Sequence, residues 1–379
     1  MEYQCPRCGN SDVRYVGFKN GQPYCRKCIG FHGNSARENT SKSYGGKLNL
    51  HYRLSKEQQK ASQDILASYA NRRNIVVRAV CGAGKTELTF AVIEHALSQG
   101  HQVGFAIPRR DVVIEIYKRL KSVFPKNAVV AVYGGHTGRL EGEIVVLTTH
   151  QLYRYTDYFD LLIMDETDAF PFVDDDVLHS MFKRSCRGVC IMMSATISDE
   201  QMAEYNRKHN LIVDIDKRYH GFPLPVPKTV IMIGILKYFY LIRKLRSLLS
   251  DNKPVFIFTP TIGKCEDLFA FISKWVRNGN YVHSKRQERE EIIDSFRQGI
   301  CRYLVTTAVL ERGVTLKNLQ VIIFESDHAI YTKSALVQIA GRVGRKKDAP
   351  DGEVIFLSDK KTEAMVGATS EISAKNSHL

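Results

Sequence analysis

From Leu54 onward the chain alternates short apolar runs with longer stretches in which apolar residues return every three or four positions. The short runs Ile75–Val80, Val103–Ile107, Val129–Val132, Ile144–Leu147, Leu161–Asp165 and Val189–Met193 predict strands. The stretches between them, Lys56–Ala70 and Glu87–Leu97 included, predict helices, and the alternation is that of a parallel α/β sheet. A segment with three prolines, His220–Lys228, breaks it. A second series follows at Val255–Thr259, Tyr281–His283, Tyr303–Thr306, Val321–Glu325 and Val354–Leu357. Two similar α/β lobes are therefore expected, residues 54–219 and 229–360, joined by a linker at 220–228. Residues 361–379, lysine-rich and then rich in serine and alanine, read as a frayed polar tail. Asp267–Val276 reads as an amphipathic helix that packs Trp275, the single tryptophan, into the second lobe.

Three motifs on this frame carry chemistry. The run AVCGAGKT, Ala79–Thr86, lies between a predicted strand and a predicted helix, the context of a phosphate-binding loop. Gly82 and Gly84 let the backbone turn sharply, so that the N–H groups around Gly82, Ala83 and Gly84 converge on phosphates. Lys85 would reach the β and γ phosphates of ATP, and the Thr86 hydroxyl would ligate Mg2+. The second motif, MDETD at Met164–Asp168, ends an apolar strand. It sets Asp165 to hold magnesium and Glu166 to orient or deprotonate the attacking water. Asp168 has two readings, a catalytic one and one in which it caps the helix beginning near Asp174 or bonds a neighbouring loop. The third motif, QIAGRVGR at Gln338–Arg345, falls on a helix predicted over Ser334–Arg345. There Gln338, Arg342 and Arg345 share one face, and the arginines suit the γ-phosphoryl group. Ser55-x-x-Gln58 opens the first helix and fits a capping box; the alternative is that the Gln58 amide reads the adenine edge.

Length and charge agree. A chain of 379 residues exceeds one ordinary core, and a formal charge of +14 with pI near 9.3 favours a polyanionic partner, by default nucleic acid. No stretch approaches the roughly eighteen apolar residues that span a bilayer, and Met1–Arg7 lacks the apolar centre of a signal peptide, so a cytoplasmic location is expected.

In a reducing compartment, paired CxxC motifs indicate metal more than disulfides. Cys5, Cys8, Cys25 and Cys28 spell C-x2-C-x16-C-x2-C, the spacing of a four-thiolate Zn2+ site, within a module at residues 1–33. Gly9 and Gly21 lie where its turns are needed. Zinc there either folds a segment too short to bury its own core or serves recognition as well. Residues 34–53 read as a linker; Gly30–Gly46 within this region is rich in Ser, Asn and Gly and carries Arg37 and Lys42.

The ordered motifs resemble superfamily 2 helicases, which implies two RecA-like domains with ATP bound between them. In that superfamily SAT, here Ser194–Thr196, couples the nucleotide site to nucleic acid, and the equivalent of Thr306–Thr315 contacts both. The resemblance implies that Arg312 and Gly313 sense ATP. It also implies that Pro108, Arg109, Arg110, Asp111, Thr149, His150, Thr259, Pro260, Thr261, His283, Ser284, Thr306 and Thr307 face the bound strand. A narrower resemblance rests on the four cysteines, on DETDAFPF at Asp165–Phe172 and on GFPLPVPK at Gly221–Lys228. These are similar to the late-competence helicase family ComFA. That family implies an ATP-driven translocase on single-stranded DNA, helping uptake of transforming DNA at the inner face of the cell membrane. It further implies a ComFC-type protein and the membrane DNA-uptake channel as partners. The alternatives are a replication or repair helicase that separates duplexes, and a DNA-binding scaffold without hydrolysis. The intact Lys85, Thr86, Asp165, Glu166, Arg342 and Arg345 disfavour the scaffold.

Overall fold

The computed structural model describes residues 3–37, 48–50, 52–80, 82–168, 172, 175–197, 199–307 and 316–377. By contact density they form two compact units. One comprises the residues up to Ala79 with Gly84–Ile215; the other comprises Val80–Ala83 with the residues from Asp216 onward.

The first unit begins with a hairpin, β1 (Val16–Lys19) and β2 (Gln22–Cys25), paired antiparallel. It continues through α1 (Lys56–Ala70), β3 (Ile75–Ala79), α2 (Lys85–Leu88), α3 (Phe90–Ser98), β4 (Val103–Ile107) and α4 (Arg110–Val123). Then come β5 (Val129–Val132), β6 (Ile144–Thr148), β7 (Phe159–Asp165), α5 (Asp176–Ser185), β8 (Cys186–Ser194), α6 (Asp199–Arg207) and β9 (Leu211–Ile215). Strands β3 to β9 pair entirely in parallel, in the order β5-β6-β4-β7-β8-β3-β9. β4 and β6 are buried along their whole length, as apolar runs covered on both faces should be.

The second unit repeats the plan. β10 (Lys228–Ile231), α7 (Leu236–Ser250), β11 (Val255–Phe258), α8 (Ile262–Ile272), β12 (Gly279–Val282) and α9 (Arg289–Arg297) come first. β13 (Tyr303–Thr306), β14 (Gln320–Phe324), α10 (Lys333–Ala340), β15 (Val354–Ser358) and α11 (Glu363–Asn376) complete it. Its sheet is also parallel throughout, in the order β10-β15-β14-β11-β13-β12. The fold is thus two RecA-like parallel-sheet domains and a small cysteine-bearing amino-terminal hairpin.

Several expectations are corrected. The expected frayed tail is α11, capped by the Thr362 hydroxyl and buried along Met365, Ala368 and Ile372. Its composition is polar, but three positions spaced by three and four suffice for one apolar stripe. The expected proline linker belongs to the second unit: Leu224 N donates to Asn376 Oδ1 at 2.8 Å, and Asn376 Nδ2 donates back to Leu224 O at 2.8 Å. The helix expected over Ser334–Arg345 stops at Ala340, where Gly341 ends it and Arg342 N and Val343 N turn back to Ile339 O and Ala340 O. Trp275 lies beyond the end of α8 and is exposed. Strands β9 and β10 escape the apolar-run reading because they are short and partly polar.

One close approach tests the sheet. A Cβ on Gly188 would sit 2.1 Å from the Asp160 carbonyl, where β7 shifts register between Phe159 and Leu161. Backbone cannot yield as a flexible side chain does, so Gly188→Ala should cost about 2 kcal/mol. Denaturant unfolding should show a lower midpoint for this variant, and an unchanged midpoint would contradict the packing described.

Candidate active site and cysteine cluster

Because all pairs in a sheet are parallel, the loops leaving the carboxyl ends of its strands share one edge. In the first unit that edge carries Gly84 and Lys85 beyond β3, the acidic motif after β7, Ser194–Thr196 at the end of β8, Pro108–Asp111 after β4 and Thr149–His150 after β6. The sequence motifs are brought together by strand order alone.

In the phosphate-binding loop, Gly82 and Gly84 hold φ of 87° and 78°. Gly84 has a second reason to lack a side chain, since a Cβ there would lie 2.4 Å from Gln58 Nε2. Gln58 also closes a capping box: its Oε1 accepts from Ser55 N at 2.9 Å, and its N donates to Ser55 Oγ at 3.2 Å. The capping reading of Gln58 is therefore observed, and the other end of the same amide faces the loop that would hold phosphates.

Lys85 Nζ stands 3.9 Å from Asp165 Oδ1, within coulombic reach but too far for a hydrogen bond. Thr86 and Asp165 are both buried. Glu166 takes φ of 62°, a left-handed conformation uncommon outside glycine and frequent at functional turns. Its N–H donates to Asp165 Oδ1 at 2.9 Å. Asp168 accepts from Thr196 Oγ1 at 2.7 Å, which selects the loop-bonding reading over the helix cap; α5 is instead capped by Asp175. Ser194 Oγ accepts from Thr196 N at 3.0 Å, and Thr167 N donates to Met193 O at 3.2 Å. The acidic motif and the end of β8 are therefore one hydrogen-bonded piece.

In the second unit Gln338 is buried on α10 and Arg342 is 1% exposed, while Arg345 Nε donates to Gly341 O at 3.0 Å. With the helix ended at Ala340, Arg342 and Arg345 project from a tight turn, so helical spacing does not define their common face. Sequence reasoning missed Arg218. This buried residue donates from Nη1 to Gly344 O at 2.7 Å and from Nη2 to Gly341 O at 3.3 Å, bracing that turn. It follows an ordinary polar turn in the sequence and carries no motif signal. Gly313 and Arg312 lie outside the described residues, as do the rest of Ala308–Thr315 and Ala169–Pro171.

The residues expected to face a strand divide by exposure. Arg110, His150 and Ser284 are exposed and Arg109 half-buried. Arg110 lies over the Tyr133 ring at 5.0 Å. The side chains of Pro108, Thr149, Thr259, Pro260, His283, Thr306 and Thr307 are buried. They shape loops: Thr259 Oγ1 donates to Thr306 O at 3.1 Å, Thr306 Oγ1 donates to Thr307 O at 3.0 Å, and His283 Nε2 lies 3.0 Å from Glu266 Oε1. Hydroxyls at the ends of parallel strands go first to backbone groups that the ladder no longer satisfies.

The four cysteines form a buried cluster in which all sulfurs lie within 4.8 Å of one another. Cys5 Sγ and Cys28 Sγ are 3.6 Å apart, and Cys8 Sγ and Cys25 Sγ are 3.7 Å apart. Tetrahedral zinc with Zn–S bonds of about 2.3 Å sets sulfurs about 3.8 Å apart, so the donor set fits that ion. Burial pushes the Cys8 thiol up to about 11 and Cys28 well above the thiol range. At Cys5 burial is outweighed by the N–H groups of Cys8 and Arg7, which bring it down to about 7. Four thiolates crowded together need a cation to share.

The hairpin module is not a free appendage. Its cysteines share a cluster with Leu152, Tyr155, Met181 and Phe182 of the first unit. The segment after it, expected to be a flexible linker from Gly30, is bonded to that unit as far as Arg37. Tyr153 Oη donates to His32 O at 2.6 Å, Arg154 Nη1 to Asn34 O at 2.6 Å, and Ala36 N to Arg154 O at 2.9 Å. Lys42 lies outside the described residues.

Comparison with known proteins matches residues 51–199 to a family described as type III restriction enzyme, res subunit, and residues 239–347 to the helicase conserved C-terminal domain. The chain is 36% identical over 397 residues to the competence protein ComFA of Bacillus subtilis, covering 99% of this chain and 86% of the relative. It is 32% identical over 391 residues to that of Streptococcus pneumoniae, covering 98% and 90%. Among solved structures, the DEAD-box helicase Mss116 bound to single-stranded RNA and UDP-BeF superposes with a TM-score of 0.66 at 18% identity, over 84% of this chain and 77% of the other.

The cluster geometry predicts about one zinc per purified chain by metal analysis. Cys25→Ser combined with Cys28→Ser should bring that content close to zero and lower the thermal midpoint, because the module shares its core with the first unit. A parent protein free of zinc would contradict the assignment.

Proposed function

Because this chain belongs to the competence protein ComFA family, within helicase superfamily 2, and is a nucleic-acid-dependent ATPase with a role in competence, we propose that it is a translocase on single-stranded DNA that drives uptake of transforming DNA. The observation that supports this most is the single hydrogen-bonded piece made by Asp165–Asp168 and Ser194–Thr196 beside Lys85. It gives the nucleotide site a mechanical connection to loops on the same sheet edge.

In this reading Lys85 and the N–H groups of Gly82, Ala83 and Gly84 hold the phosphates of ATP, and the Gln58 amide contacts the base. Thr86 and Asp165 hold magnesium, which when bound neutralises phosphate charge. Glu166, fixed by its left-handed backbone, aligns the attacking water. Gln338, Arg342 and Arg345 of the second unit answer the charge that builds on the γ-phosphoryl group, and Gly313 senses the nucleotide. Arg109, Arg110, His150 and Ser284 supply exposed contacts to the strand, and the loops shaped by the buried strand-end residues offer backbone N–H groups to its phosphates. Cys5, Cys8, Cys25 and Cys28 hold zinc. Such backbone recognition carries no sequence information, so binding is sequence-independent and weakens steeply with salt. A ComFC-type protein and the uptake channel at the inner face of the membrane are the partners; among the described residues no helix is long and apolar enough to cross a membrane.

The test is ATP hydrolysis by the purified chain with no polymer, single-stranded DNA, duplex DNA or single-stranded RNA. Single-stranded DNA should stimulate most, by about tenfold or more. Equal stimulation by RNA, or none by any polymer, would contradict the reading. Lys85→Ala should abolish turnover, and Glu166→Gln should bind ATP normally but cleave it roughly a hundredfold more slowly. Near-wild-type turnover in either would remove the catalytic assignment. Asp168→Asn, which weakens the bond to Thr196, should reduce DNA-stimulated turnover more than basal turnover; an equal fall in both would deny the coupling.

A further inference from the structure

The amino-terminal hairpin presents chemistry that neither the nucleotide site nor the cysteine cluster uses. Phe18 stands next to the Asn20–Gly21 turn and is 73% exposed; Tyr15, just before β1, is 42% exposed. The cysteine cluster does not need either ring, since its sulfurs turn inward with Leu152 and Phe182. Around the two rings the module is almost uniformly basic. Described residues 3–37 carry six Lys or Arg against one acid, Asp12, and that acid is neutralised by Arg14 at 2.7 Å. Lys19 and Arg26 are exposed.

The position of this surface is fixed. Phe31, just past the last cysteine, stacks on the His150 ring at 6.0 Å between centroids and 22° between planes. His150 is itself exposed on the carboxyl edge of the first sheet, directly after β6. The bonds from Tyr153 and Arg154 to His32 and Asn34 lock the segment immediately after that stack. The basic, aromatic hairpin is thus tied to the loop edge through the segment that follows it, Phe31–Asn34.

We propose that this hairpin is a second contact site for single-stranded DNA that wraps around its tip, in which Phe18 and Tyr15 stack on unpaired bases while Lys19, on the face opposite Phe18, and Arg26 bind phosphates, extending the strand path beyond the first sheet's loop edge. The inference rests on the single-stranded DNA reading above. Exposed aromatic faces set among cations suit unpaired bases, because every base offers a π-face and the phosphates supply the opposite charge. A duplex hides those faces. A protein partner would have to bring a strongly acidic patch to the same place.

The experiment measures equilibrium binding of the full chain, with its zinc content verified, to labelled oligothymidylates of about 6 and about 20 nucleotides, lengths bracketing one compact strand site and an extended one. Phe18→Ala should weaken the longer strand by about tenfold and leave the shorter one and the DNA-free ATPase unchanged. Arg26→Glu should weaken the longer strand and lower its salt dependence by about one ion. If both variants bind the longer strand as the parent does, the hairpin is not a DNA site, and this includes the case in which it docks an acidic protein. If the parent binds neither strand, the single-stranded DNA reading itself falls and this inference with it; a parent that binds with unaffected variants overturns this inference alone.

Discussion

A parallel strand pair can be joined only by a crossover that returns the chain to the end where it began, so every strand of such a sheet ends on the same edge. That constraint places the chemistry of this protein. In the first unit it gathers Lys85, Asp165, Thr196, Arg110 and His150 from five separate strands; in the second it gathers Thr259, Ser284, Thr307 and Glu325. None of these residues is near the others in sequence. The burial of β4, β6, β14 and β15 along their whole length fixes the register on which the gathering depends.

Within the first edge, geometry narrows from proximity to connection. Glu166 adopts a left-handed backbone immediately after a buried strand, and this turn leads the chain back across to β8. The result is that Asp165 faces Lys85 while Asp168, three residues on, is bonded to Thr196. Under the proposed function, a change at the phosphates that moves Asp165 would be felt at the Asp168–Thr196 bond, three residues further along the same turn. Coupling of hydrolysis to strand grip then needs no long pathway, only displacement of a short piece of backbone.

The sequence made the strands and the three nucleotide motifs legible because both depend on local patterns: a continuous apolar run, or fixed spacing around glycine and lysine. What it concealed depends on tertiary contacts. Helix α11 hides behind a serine- and alanine-rich composition, since three buried side chains decide its fate and the remainder are solvated. The end of α10 at Ala340 is set by glycines whose carbonyls accept from Arg218, more than a hundred residues away, a partner no window could supply. The burial of Thr149, Thr259 and Thr306 was likewise invisible, because threonine at a strand end can face solvent or the backbone with equal local propensity.

The cysteine cluster shows the same dependence at the level of a module. A segment of some thirty residues cannot bury a core of its own, and metal is the usual substitute. Here the thiols contribute to a core that includes Leu152, Tyr155, Met181 and Phe182, so the cluster is one wall of the first unit's interior. The residues Thr149–Arg154 lie between that wall and β6. Metal at the cysteines would therefore fix more than its own hairpin. It would hold Tyr153 and Arg154, which clamp the segment carrying Phe31, and Phe31 in turn sets the His150 ring. Metal occupancy and the position of the exposed His150 would thereby be linked through a chain of packed and hydrogen-bonded groups.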